Sequence, residues 1–270
     1  LQSLTISKAL TGQAEEDYNC TKDVVNEYGK FPKILREDTF RYISSLHNLI
    51  QKCLQQKKYA EIPELLRKLK DTTQLTKSNE LLVFNLEVPS RLIFYMNTKQ
   101  FDKAGELASI VDEGLKKYNL TPRRRIVFHH NVAIFFLINQ QLDEAKQWFN
   151  KTIGLKKNDA RQDLQRIARI FYLLIQYETS DLHDDMENSI RSVQRYFRLH
   201  TNLDNESYES QLLNYIRKTY YVSPDERKKV LQEFKSYLAE QVSLKKAGLE
   251  ELSLWVESKI TGNPIIELLD

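Results

Sequence analysis

Between Thr121 and Thr152 the core-type residues recur at helical intervals in two runs: Phe128, Val132, Ala133 and Phe136, then Leu142, Ala145, Trp148, Phe149 and Thr152. Polar Asn139-Gln140-Gln141 separates them. Residues three and four apart share a helix face, so the pattern predicts two amphipathic helices joined by a short turn. Thr121-Pro122 supplies the N-cap and first helical position of this pair, where proline gives up an N–H that would be unpaired anyway. Similar turns occur at Gln56-Lys57-Lys58-Tyr59, Lys99-Gln100-Phe101 and Gln140-Gln141-Leu142, each between two amphipathic runs. The anchors Tyr59, Phe101 and Leu142 are 42 and 41 residues apart, and two further steps of 40 reach Leu182 and Val222. A recurring unit that buries its apolar face only against its neighbours predicts stacked helical hairpins, an all-α solenoid.

The third pair carries small Ala133 and aromatic Phe136 in its first helix, then Leu142, small Ala145 and aromatic Phe149 in its second. This resembles the tetratricopeptide repeat. The second pair, with Leu92, Tyr95, Phe101, Ala104 and Ala108, matches in part; the first keeps Tyr59 but puts Ile62 where the small residue belongs; the fourth and fifth keep only the spacing. The resemblance spans residues 40 to 240 and is similar in layout to uncharacterised bacterial proteins of the tetratricopeptide-like superfamily. It implies a right-handed α-solenoid of about five antiparallel pairs. The period exceeds that family's roughly 34 by about two helical turns, so these helices are expected to be longer.

Pro89 falls inside the first helix of pair two, where the continuing apolar pattern (Leu92, Ile93, Tyr95) predicts a kink rather than a stop. Ser223-Pro224-Asp225-Glu226 has capping-box form and opens a helix through Val230, Phe234 and Leu238. Tyr18 lies 41 residues before Tyr59, which predicts a partial pair upstream, with Thr11-Gly12-Gln13 as its turn and Phe31-Pro32 closing it. Leu249 to Val256 reads as a last amphipathic helix, stopped by Thr261-Gly262-Asn263-Pro264 and expected to cover the exposed face of pair five, although Trp255 could instead dock a partner. The expected division is 1–38 partial pair, 39–245 repeats, and 246–270 capping helix and tail. The chain opens at Leu1 within a helical pattern, which suggests the C-terminal part of a larger protein.

With 41% hydrophobic residues and only 7 glycines and 6 prolines in 270, the composition fits a folded helical protein and not an all-β one. Basic and acidic side chains, 40 against 37, nearly cancel, so no nucleic-acid footprint is expected. The apolar run Val132 to Ile138 falls far short of the roughly 20 residues needed to span a bilayer. Cys20 and Cys53 form no disulfide framework, which suits a reducing, cytoplasmic location.

Candidate chemistry is sparse. His129 and His130 are adjacent on a helix and project about 100° apart, a poor metal pair; one packed and one partly exposed histidine is expected. Asp181, Asp184 and Asp185 around His183 fit a helix start, where carboxylates favour the macrodipole. Arg191, Arg195 and Arg198 share one helix face. No catalytic, cofactor or metal site is expected. Excess hydrophobicity marks the first helices of pairs three and four. By analogy with the repeat, Met96, Ile134, Leu137, Ile138, Ile170, Leu174 and Tyr177 would line the concave side. Either these residues form the core of a tight superhelix, or they make an apolar groove for a helix. Partner contacts are then expected toward Met96, Asn97, Tyr177, Asn214, Arg217 and Lys218. The function expected is a non-catalytic scaffold for a protein or peptide, or alternatively a peptide sensor controlling an N-terminal effector such as a DNA-binding domain.

Overall fold

A computed structural model describes residues 14–72, 79–155, 161–179, 183–200, 207–244 and 246–269. Anchor Leu182, Asp181, the turn at Thr11-Gly12-Gln13 and the side chains of His183, Asp184 and Asp185 lie outside the described set. The protein is all-α: 87% is helical, and no strand occurs among the described residues. Two compact units divide the chain, Leu1–Tyr118 and Asn119–Asp270.

In the first unit, α1 (Ala14–Lys30) and the short α2 (Pro32–Glu37) precede two hairpins, α3 (Thr39–Gln55) with α4 (Ile62–Asp71) and α5 (Glu80–Asn97) with α6 (Ala104–Lys117). α1 packs on α3, α3 on α4 and α5, and α4 on α5. Tyr18 of α1 is buried, donates its hydroxyl to Glu61 and lies 3.8 Å beneath the Lys58 ammonium, so α1 is pinned to the turn of the first hairpin. Ile43, Leu46, Leu49, Ile50, Ile62 and Leu69 form the fully buried centre. α5 continues through Pro89 to Asn97. α6 crosses α5 so closely at Gly114 that a Cβ there would stand 2.1 Å from the Phe84 ring.

The second unit holds α7 (Pro122–Ile138) with α8 (Leu142–Gly154), α9 (Gln162–Thr179) with α10 (His183–His200), α11 (Tyr208–Tyr221) with α12 (Pro224–Glu240), and α13 (Leu249–Thr261). Thr121 and Ser223 each cap their helix by accepting from the backbone N–H three residues on, at Arg124 and Glu226. α7 contacts α8 and α9, α8 contacts α9, and α9 contacts α10 and α11. Ala133 and Ala145 are fully buried where α7 meets α8. Every residue from Val132 to Ile138 is buried, so this helix end is covered on all sides.

The first three pairs turn in the same way. Lys57, Lys99 and Gln140, two residues before each anchor, have φ of 57°, 56° and 56°. After each, Lys58, Gln100 and Gln141 donate their N–H groups five residues back, to Cys53, Tyr95 and Phe136. Lys57, Lys99 and Gln140 donate three back, to Leu54, Met96 and Leu137. These two bonds define the Schellman C-cap, with a left-handed residue that is usually glycine. Three residues after the anchors, Ile62, Ala104 and Ala145 are buried against the first helices. The extra period length sits chiefly in the first helices: 17, 18 and 17 residues in pairs one to three, against 10, 14 and 13 in their partners.

The histidine expectation needs correction, because both histidines are buried. His129 meets Trp148 edge-on at 5.7 Å, and His130 lies 5.9 Å from Phe149 and 6.3 Å from Phe171. Trp148 and Phe149 of α8 cover the two rings, and Phe171 of α9 closes over His130 from the face that one hairpin leaves open. Burial, reinforced by the Arg161 charge, holds the His130 imidazole down at about 4.

Candidate functional site

The surface with the most interlocked chemistry is where α13 returns to α9. α13 packs on α12, as a cover for pair five should, but its other side reaches α9. Gly248 opens it with φ +74°, and a Cβ there would stand 2.4 Å from Ile167 Cγ1, so glycine is required both by the backbone and by the approach to α9. About two turns along, Trp255 is buried with its ring 5.7 Å from Tyr177, and its Nε1–H donates to Glu178 at 2.8 Å. Lys259, a turn further on, donates to the other Glu178 oxygen at 2.5 Å. One carboxylate thus collects the polar end of an indole and an ammonium from the same face of α13. Burial pushes the Tyr177 hydroxyl above its usual range, opposed by the Arg227 charge. Tyr220 of α11 completes the cluster at 6.0 Å from Tyr177.

Beneath this joint is a cavity of about 190 Å³ lined by Leu137, Gln140, Leu174, Trp255, Lys259 and Ile265 among others. Ile134, Leu137, Ile138, Ile170 and Leu174 are all buried. Of the two alternatives for this apolar lining, an internal core is found, with α13 supplying part of it. An indole can be buried there because its lone donor finds an acceptor in Glu178.

The expected partner residues belong to both units. Met96 is half-buried and Asn97 exposed, both at the end of α5 in the first unit. Tyr177 is engaged by Trp255 and Tyr220. Asn214, Arg217 and Lys218 are exposed and three or four residues apart on α11, so they form one stripe, extended by exposed Tyr221. Arg217 lies 3.6 Å from Glu187 of α10, to which Tyr221 also donates. Hydrogen bonding from Tyr221 and Arg191 holds the Glu187 carboxyl below the usual range. Sequence reasoning passed over Glu178 and Lys259. Their pairing joins positions 81 residues apart with no local pattern to mark it.

Among the described residues no group of three or more histidine, cysteine or carboxylate side chains is placed to hold a metal ion, and no helix is long and apolar enough to cross a membrane. Comparison with protein-family models, with curated proteins and with solved structures finds no match.

Proposed function

We propose that this chain is a non-catalytic, cytoplasmic scaffold of tetratricopeptide-like helix pairs that captures a protein or peptide partner. Support comes from the contact order within each unit: a first helix packs on its own second helix and on the next first helix, as α3 does on α4 and α5 and α7 on α8 and α9. Stacked hairpins of this kind offer rigid, regularly spaced surfaces, and a rigid surface loses little conformational entropy on binding. With the apolar side of α9 already packed against α7, α8, α10 and α11, the partner surface falls on the polar stripe Asn214, Arg217 and Lys218. Its cations and amide suit a peptide carrying carboxylates.

The test is affinity capture with the full chain, read by mass spectrometry, beside an Arg217→Glu, Lys218→Glu variant whose circular dichroism is unchanged. Partners recovered by the unaltered protein and lost by the variant are the expected result. Retention of every partner removes α11 as the surface, and recovery of none by the unaltered protein refutes the scaffold role.

A further inference from the structure

A second cavity, of about 360 Å³, lies between α8, α9 and α10 and is lined by Asn150, Arg169, Tyr172, Ser189, Ser192 and Tyr196, with Gln176 and an apolar remainder. That volume is near the low end of small-molecule sites, which run from about 300 to 1,000 Å³. Arg169 is the only ionic group among the lining residues. Its guanidinium lies 3.5 Å over the Tyr196 ring, and Nη1 donates to the Gln165 carbonyl of its own helix at 2.7 Å. No carboxylate pairs with it among the described residues. Other half-buried arginines are treated differently: Arg91 meets Glu87, Arg161 meets Asp163 and Arg166 meets Glu209. Burial pulls the Arg169 pKa below the ordinary guanidinium value, the mark of a cation held partly out of water without a counter-charge.

A guanidinium has five N–H donors in a planar fork, and among the described residues one of them is used here. Stacking on Tyr196 fixes the plane of that fork. Ser189, Ser192 and Asn150 add neutral donors around it, and Tyr172 gives a flat wall. Gln176, another lining residue, has its side-chain carbonyl buried without a partner among the described residues. A single cation with neutral donors suits the one charge of a planar carboxylate better than a phosphate dianion. We propose that this cavity binds a small carboxylate with an apolar or aromatic body, held by bidentate hydrogen bonds from Arg169. The site is separate from the α11 stripe and does not depend on the scaffold role.

Two sources present the same chemistry, a free organic acid and the C-terminus of a peptide. The probes are therefore 3-phenylpropionate and N-acetyl-Ala-Phe, each beside its neutral amide, with inorganic phosphate as a further arm, and binding to the full chain is followed by saturation-transfer NMR titration. Binding of at least one acid about tenfold or more tighter than its amide is expected, and the stronger of the two acids names the source. Arg169→Gln, checked for folding by circular dichroism, should lose the preference for acid over amide, whereas Arg195→Gln, an exposed arginine on α10, should keep it. Equal binding of acid and amide overturns the proposal without any variant. So do failure of both acids to bind, tighter binding of phosphate, and an unchanged preference in Arg169→Gln.

Discussion

Lys57, Lys99 and Gln140 hold a left-handed conformation in which a side chain crowds its own backbone, and glycine does not. Substituting glycine at each should stabilise the protein by about 0.5–1 kcal/mol per site, and the three gains should add because the turns share no partners. Urea denaturation of the triple variant checks this, and an unchanged or lowered midpoint would show that the side chains make compensating contacts. His130 gives a second expectation at this scale. Its folded pKa of about 4 lies below the ordinary 6.5, so above pH 6.5 neither state is protonated and the histidine carries no penalty. As pH falls from 6.5 toward 4, only the unfolded chain takes up the proton, and about 3 kcal/mol of stability is lost across that window. In His130→Gln that component should vanish, so denaturation free energies of the two proteins should converge between pH 7 and pH 4. Parallel curves would mean that His130 accepts a proton in the folded state.

Among the elements, α13 carries the sharpest prediction. Trp255→Ala removes a buried ring and leaves Glu178 with one donor, so a loss of about 3–5 kcal/mol is expected. Trp255→Phe keeps most of the ring and loses the donor, which should cost about 1–2 kcal/mol. Equal losses would assign the whole effect to the hydrogen bond, and no loss in either would show that α13 is not held on α9. Existence and type of helix were readable at this scale for α7 and α12, where proline and hydroxyl caps coincide with apolar periodicity. The destination of α13 was not readable. Its apolar face was plain from Leu249, Leu252 and Val256, but amphipathicity says that a face is covered and not by what.

For the whole molecule, the chain divides into two compact units between Tyr118 and Asn119. Residues 119–270 contain three hairpins and α13 with their own buried centre, among them Phe135, Phe149, Phe171 and Phe234. Expressed alone, this segment should give a helical circular dichroism spectrum and one cooperative thermal transition. A broad, non-cooperative melt would mean that the units share a core.

The amino-acid sequence by itself determined the helical class and the places of the first three turns, because those depend on local apolar periodicity and on polar residues that interrupt it. The left-handed turn residues escaped it, since lysine and glutamine carry no mark of the conformation that glycine would have signalled. Only the tertiary structure decided that His129 and His130 are both buried, that Trp255 finds its acceptor in Glu178, and that Arg169 lies beside Tyr196 with no carboxylate opposite among the described residues. Each of these depends on which helix arrives against a given face. That is set by the packing of several helices at once and has no counterpart in the local order of residues.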